Sequence, residues 1–195
     1  MTPRARLLPC ALLMLAAWPE LAVAQADSAT QCGRARQILS ERRIEPEDGP
    51  ALAIIYQCAG AGGALAAAWS HPPADSSMLA WLVASSARVA DRRILDATLS
   101  LVQTGPSVTQ RRAALEVVLA QFDPSFTVSQ YMWVVPDSMS LPRESDYYQR
   151  PGEQPPTASD RQRIVDTFRQ LSTADPDPSW RGVARLIVRG LAPRL

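Results

Sequence analysis

Two amphipathic helices joined by a very short turn, between Asp91 and Phe122, constrain the fold of this chain most strongly. Asp91 predicts a side-chain cap, and the apolar residues behind it recur at three- and four-residue steps. Gly105–Pro106 predicts the end of this helix, because glycine suits the left-handed residue past a helix end and proline cannot continue the helix. Ser107 and Gln110 then have the spacing of a capping box, which predicts a second helix.

The second helix of this pair has an apolar stripe with a polar face opposite it. The stripe consists of Val108, Leu115, Val118, Leu119 and Phe122, and the polar face of Arg111, Arg112, Glu116 and Gln121. Leu115 and Leu119 are therefore predicted to lie in the core, and Arg111 and Gln121 on the surface. Neither helix can bury its stripe alone, so the short turn predicts antiparallel packing of the two.

The run 101–107, followed by Arg-Arg-Ala-Ala-Leu at 111–115, resembles the HEAT family of helical repeats. In that family a leucine-rich helix meets a short polar or proline turn, and an Arg-x-Ala-Ala-type helix follows. A similar pattern spans 171–178 with Arg181, Ala184 and Leu186 behind it, and a fainter one spans 69–73.

The resemblance implies second-helix starts at Asp75, Ser107 and Asp177. The interval from Ser107 to Asp177 is about twice the interval from Asp75 to Ser107, as if one repeat had been replaced. The implied fold is mainly α, with antiparallel helix pairs stacked as a short HEAT-like solenoid. Such stacks mostly serve as binding platforms.

Residues 1–24 have the organisation of a signal peptide. Arg4 and Arg6 form its positive start, residues 7–18 its apolar run, and 22–24 a small-residue cleavage site. Cys10 lies inside the apolar run after a proline, which argues against a lipoprotein. We expect an exported protein, periplasmic or secreted, with one helical-repeat domain over residues 25–195 and no membrane span after removal of the leader.

Two cysteines follow the leader, Cys32 and Cys58, and in an exported protein an isolated pair predicts one disulfide. A metal site would need more ligands, and the one histidine, His71, is distant in sequence. A redox pair would favour a C-x-x-C spacing, which the chain does not have. No cofactor is expected.

The charge of the chain is balanced. Without Arg4, Arg6 and Glu20 of the leader, its 20 basic and 19 acidic residues become equal in number. Nucleic-acid binding would need a basic stripe, so no nucleic-acid partner is expected.

Outside the helix pair between Asp91 and Phe122, periodicity predicts helices over residues 30–43, 51–58 and 159–171. Two more helices are predicted to begin at Asp75 and Asp177. Residues 25–29 are predicted to be a loose N-terminal stretch of the mature chain. Glycines 60, 62 and 63 lack the Gly-Lys-Ser/Thr of a phosphate loop. Close helix packing or a helix break is the better interpretation of these glycines.

Residues 123–156 form an irregular, proline-rich insertion between helices. Residues 126–135 are rich in strand formers, and 143–150 could return as a second strand, which would give a β-hairpin. A long non-helical insertion in a compact domain is usually functional or disordered, and this one is apolar in its middle. The candidate partner-binding residues are Tyr131, Trp133, Tyr147, Tyr148 and Arg150. The alternative is a hairpin that only covers an open helical edge.

These features favour an exported, non-enzymatic interaction scaffold whose partner is another protein of the cell envelope. One alternative is a cell-envelope hydrolase with a carboxylate site in the insertion, for which the candidate acids are Asp137, Glu144, Asp146 and Glu153. Another is a structural accessory of an envelope complex. His71 has no recognisable nucleophile or orienting acid in the sequence, so a catalytic role is not expected for it.

Overall fold

The computed structural model describes residues 18–41, 44–122 and 149–194, and this part of the chain is mainly helical. Its α-helices are α1 Trp18–Glu41, α2 Gly49–Leu52, α3 Ala61–Ala68, α4 Ser76–Ala87, α5 Arg92–Thr104, α6 Val108–Phe122, α7 Ala158–Ala174 and α8 Pro178–Leu191. Single 3-10 turns lie at Pro46–Asp48, Ile55–Gln57 and Ala192–Arg194. Strands β1 Val89–Ala90 and β2 Arg150–Pro151 pair in parallel.

The first helix differs from its prediction. Helix α1 begins at Trp18 and includes residues 25–29, which were predicted to be loose. No proline or glycine lies between Glu20 and Cys32, so nothing in the sequence stops the helix there.

The predicted helix over 51–58 is also interrupted. Helix α2 ends at Leu52, and a 3-10 turn leads to Cys58, where the backbone is extended at φ −82° and ψ 145°. Cys58 forms a disulfide with Cys32 of α1, as the sequence predicts. The two Cα atoms are 5.5 Å apart. The disulfide fixes the 55–60 loop against α1.

The predicted helix starts are confirmed by side-chain caps. Asp75, Asp91 and Asp177 each accept a hydrogen bond from a backbone N–H in the first turn of α4, α5 and α8. Ser107 Oγ accepts from the N–H of Gln110 at 3.2 Å, which is one half of the predicted capping box. Each cap satisfies a backbone donor that would otherwise lack a partner inside the helix.

Gly105 ends α5, but its conformation is not left-handed as predicted: φ is −57° and ψ is 137°. A Cβ at this position would lie 2.5 Å from the carbonyl oxygen of Leu101 and 2.9 Å from Cγ of Arg111. The glycine is therefore explained by close contact with the last turn of α5, and with the Arg111 side chain, and not by a positive φ.

Helices α5 and α6 pack against each other, and so do α7 and α8, as the short turns predict. Helix α3 packs on α5, and α4 packs on α6, so corresponding members of neighbouring pairs contact each other. Between α5 and α7, Arg163 binds Asp96 at 2.5 Å and Arg92 binds Asp160 at 3.3 Å. The described helices thus form a stack of pairs.

The turns of the pairs α5–α6 and α7–α8 correspond when Ser107 is aligned with Asp177. Gly105 at the first turn and Asp175 at the second have nearly the same conformation, with φ −57° and ψ 137° against φ −63° and ψ 134°. A proline and a capping residue follow in both turns. Buried residues also correspond: Ile94 with Ile164, Leu95 with Val165, Ala114 with Ala184, and Val117 with Ile187.

Helix α6 is buried on all sides, which the sequence pattern did not predict. Every residue from Ala113 to Phe122 is buried, including Glu116 and Gln121, which were assigned to a polar surface face. Arg111 is also mostly buried, because it binds Asp175 and stacks on the Trp180 ring at 4.4 Å. The predicted core positions Leu115 and Leu119 are confirmed, whereas Val108 is 49% exposed.

The described end of the insertion forms a strand that pairs outside the insertion. The N–H of Arg150 donates to the carbonyl of Arg88 at 2.9 Å, and the N–H of Gly152 donates to that of Ala90 at 2.7 Å. β2 is therefore joined to the α4–α5 connection. The predicted strand over residues 126–135 lies outside the described residues.

Candidate functional site

The described residues that flank segment 123–148 lie next to each other on the helical stack. The segment itself lies outside the described residues, between the end of α6 and Gln149. The side-chain amide of Gln149 donates to the carbonyl of Ala120 at 3.2 Å and to that of Ala87 at 3.1 Å. One side chain therefore joins the C-terminal end of the segment to the last turns of α6 and α4.

Gln121, in the last turn of α6, makes the corresponding contacts on the N-terminal side of the segment. Its amide nitrogen donates to the carbonyls of Ser86 at 3.2 Å and Val89 at 2.9 Å, and its amide oxygen accepts from the N–H of Asp91 at 3.1 Å. Gln121 is only 4% exposed. These bonds explain its burial, since a buried amide needs its donors and acceptor satisfied.

Asp91 is the centre of this junction, and its carboxylate is fully buried. It accepts from Nε and Nη2 of Arg93 at 2.9 Å each, and from the N–H groups of Arg93, Glu153 and Gln154. Burial alone would raise the pKa of Asp91, but these hydrogen bonds and the arginine charge outweigh it and hold the pKa below its ordinary value. The carboxylate is ionised and ties the residues after β2 to the start of α5.

Two glycines give Asp91 the space that it occupies. A Cβ at Gly62 would overlap Oδ2 of Asp91, and one at Gly152 would lie 2.6 Å from the same atom. A Cβ at Gly63 would lie 2.9 Å from Nη1 of Arg93. The close-packing interpretation is confirmed for Gly62 and Gly63, because helix α3 and the residue after β2 both approach the carboxylate where only glycine fits. Gly60 has a different reason: its φ is 77°, a left-handed conformation directly before α3.

Of the predicted partner-binding residues, Arg150 is placed at this junction. It lies in β2, and its Nη2 is 3.5 Å from the carbonyl oxygen of Cys58. The other four, Tyr131, Trp133, Tyr147 and Tyr148, lie outside the described residues, as do the candidate acids Asp137, Glu144 and Asp146. The remaining candidate acid, Glu153, is exposed and binds Arg93 at 2.5 Å.

Glu116, in the middle of α6, is a buried carboxyl group that sequence reasoning missed. It is 4% exposed, and its Oε1 has no hydrogen-bond partner in the part of the chain that the structure describes. Burial raises the pKa of Glu116 from 4.5 to about 8, so the group is largely protonated near neutral pH. Ala113 and Ala120, on the same face of the helix, were a sequence signal that this face is covered.

His71 lines a cavity of about 310 Å³ between the end of α1 and the end of α3. Ser40 and Glu41 line the same cavity. The Ser40 hydroxyl donates to the carbonyl of Gln37, and the Glu41 carboxylate accepts from the Gln37 amide. Neither side chain is hydrogen bonded to His71 within the described ranges, so the geometry of a catalytic triad is not formed there.

No family model, no curated protein and no solved structure matches the chain. The described residues contain no group of three or more histidine, cysteine, aspartate or glutamate side chains that could hold a metal ion. None of the described helices is both long and apolar enough to cross a membrane. The site must therefore be interpreted from its own geometry.

Proposed function

We propose that this protein is an exported, non-enzymatic interaction scaffold that presents segment 123–148 to another protein of the cell envelope. One observation carries the proposal: the described residues on both sides of the segment are held on the helical stack by buried and half-buried polar contacts, through Gln121, Gln149 and Asp91. Buried hydrogen bonds of this kind fix a geometry, because breaking one leaves an unsatisfied polar group. A long segment anchored in this way is suited to binding.

The stacking of the helix pairs supports the HEAT-like part of the proposal. Corresponding helices contact each other from pair to pair, and the pairs α5–α6 and α7–α8 have the same turn geometry. Repeat stacks of this kind provide extended surfaces on which a partner can lie. Fold alone does not fix function, so the proposal depends on the anchored segment.

Export is supported by two features of the chain. Residues 1–24 have the composition of a signal peptide, and Cys32 and Cys58 form a disulfide. Disulfides persist in oxidising compartments, such as the periplasm and the exterior of the cell.

The described residues favour binding over the hydrolase alternative. Glu153 is the one candidate acid of the insertion that the structure describes, and it is exposed and ion-paired with Arg93. A catalytic acid needs a sheltered position, and an exposed, ion-paired carboxylate does not have one. The alternative of a structural accessory differs from the proposed function, because it does not require the segment to contact a partner.

Capture of partners from envelope extract tests the proposal. We expect Tyr147→Ala combined with Tyr148→Ala to abolish capture while leaving the urea unfolding curve unchanged. Leu186→Ala combined with Val108→Ala is the matched control, because it removes exposed apolar surface elsewhere and should leave capture intact. If capture survives the tyrosine changes and also survives Trp133→Ala in folded protein, the segment is not the binding site.

A further inference from the structure

Three arginines surround the short loop that contains Cys58. The Arg88 guanidinium lies 4.6 Å above the ring centre of Tyr56, and Arg150 Nη2 is 3.5 Å from the carbonyl oxygen of Cys58. Arg36 Nη1 donates to the carbonyl of Ala59 at 3.3 Å. All three positive groups therefore contact one short stretch, 56–59. We call Arg36, Arg88 and Arg150 the arginine cluster.

The arginine cluster has no carboxylate partner among the residues that the structure describes. The two acids of the neighbouring junction, Asp91 and Glu153, are both ion-paired with Arg93. Arg88 is half-buried, and its Nε is buried without a hydrogen-bond partner in the described chain. A half-buried guanidinium whose Nε has no partner among the described residues is costly, so the cluster is suited to an anionic ligand.

The scaffold holds the cluster in place before any ligand arrives. The disulfide joins the helix that carries Arg36 to Cys58, and Arg36 Nε also donates to the carbonyl of Cys32 at 3.3 Å. The N–H of Arg150 donates to the carbonyl of Arg88 at 2.9 Å, so these two residues are fixed side by side. Preorganised groups lose less entropy on binding than free side chains do.

We propose that the arginine cluster binds an acidic peptide segment of the partner, through side-chain carboxylates. This inference rests on the proposed function, because it names the chemistry by which the partner of the anchored segment is recognised. Guanidinium groups match carboxylates in a two-bond geometry, and several arginines at one loop match a run of acidic side chains. Arg150 follows closely after segment 123–148 in the sequence, so the cluster lies beside the point where the described chain resumes.

Fluorescence anisotropy of the full chain with a labelled peptide of alternating glutamate and glycine tests this inference. We expect saturable binding that weakens with salt, and no binding of the same peptide with glutamine in place of glutamate. Arg36→Ala combined with Arg150→Ala should weaken binding at least tenfold. Arg88 is left unchanged in this variant, because its stacking on Tyr56 also supports the fold.

The matched control is Arg185→Ala combined with Arg189→Ala, which removes the same charge from two exposed positions of α8. It should bind the peptide as tightly as the native chain. Equal weakening by both double variants would overturn the inference, since it would indicate general charge attraction. Equal binding of the glutamine peptide would also overturn it. The inference would fail as well if inorganic phosphate displaced the labelled peptide at a lower concentration than the unlabelled glutamate peptide does.

The two proposals can fail separately. Peptide anisotropy reports on the arginine cluster alone, and Tyr147→Ala with Tyr148→Ala should not change it. Capture from envelope extract reports on the segment. Loss of peptide binding in a protein that still captures its partner would remove the acidic-peptide inference and leave the proposed function standing.

Discussion

Helices α6 and α8 start in the same way and end in different environments. Each follows a turn of matching geometry and a capping residue, and each has an arginine one turn after that cap, Arg111 or Arg181. Yet α6 is buried from Ala113 to Phe122, whereas α8 leaves Leu186 55% exposed. In the alignment of the two helices by their capping residues, exposed Leu186 corresponds to buried Glu116.

The position of a helix in the stack, and not the polarity of its residues, decides its burial here. Helix α6 lies between other elements, with α4 and α5 against it and Asp175 and Trp180 at its start. Helix α8 packs mainly on α7. A helix covered on one side needs one apolar stripe, but a helix covered on all sides must accommodate its polar residues inside.

The largest expected effect comes from truncating a leucine in each helix. Leu115→Ala in α6 should lower the free energy of unfolding by roughly 3–5 kcal/mol, because it opens a cavity in packed surroundings. Leu186→Ala in α8 should change it by less than about 0.5 kcal/mol, as exposed substitutions do. Urea unfolding of the two variants measures both values. Similar losses would mean that α6 and α8 are equally buried, and would break the comparison.

Sequence reasoning predicted the elements better than their surroundings. Asp75, Asp91 and Asp177 marked helix starts because capping is a local interaction that a few neighbouring residues determine. The disulfide followed from having two cysteines in the predicted mature chain. The parallel pairing of β2 with β1 could not be predicted, because it joins two very short strands that are far apart in the sequence.

The candidate site was predicted only in part, because its contacts also join residues that are far apart in the sequence. Arg150 was selected as an interface residue type, but its position beside Cys58 depends on the disulfide and on β2 together. Gln121 was assigned to the surface because it is polar and lies opposite the apolar stripe. The carbonyl groups that accept its hydrogen bonds, those of Ser86 and Val89, belong to a distant part of the sequence, before α5. Polar residues that are satisfied by distant backbone have no signature in a helical wheel.

A second prediction concerns the two arginines that occupy equivalent positions in α6 and α8, Arg111 and Arg181. Arg111 binds the buried carboxylate of Asp175, whereas Arg181 donates to the backbone carbonyls of Asp175 and Pro176. Arg111→Ala should lower the free energy of unfolding by about 2–3 kcal/mol, because it leaves a buried charge without its partner. Arg181→Ala should cost only about 1 kcal/mol.

Thermal and urea unfolding at neutral pH distinguish these two values. Arg111→Lys is the conservative control: it retains the charge but loses the planar group that stacks on Trp180, so an intermediate loss is expected. Equal losses for Arg111→Ala and Arg181→Ala would show that the link from α6 to Asp175 contributes no more than an ordinary backbone contact.

The third prediction concerns Glu116 and appears as a dependence on pH. Burial raises the pKa of Glu116 from 4.5 to about 8, so the folded state holds a proton that the unfolded state releases at lower pH. The contribution of the protonated carboxyl to the free energy of unfolding is fully present below pH 4.5 and is lost as the pH rises toward 8, at about 1 kcal/mol per pH unit in the middle of that window. Asp91, Asp160 and Asp175 behave in the opposite way, since their pKa values are lowered and their contribution is lost only in acid.

Glu116→Gln should therefore remove this slope. The free energy of unfolding of the native chain, measured relative to Glu116→Gln, should fall by about 1 kcal/mol between pH 6 and pH 7. Because each pH compares two chains that differ at one position, other titrating groups cancel. Leu186→Gln in α8 is the matched control and should run parallel to the native chain at every pH, since it removes no titratable group. A flat difference between the native chain and Glu116→Gln would mean that solvent reaches Glu116, and that α6 is open on one face as α8 is.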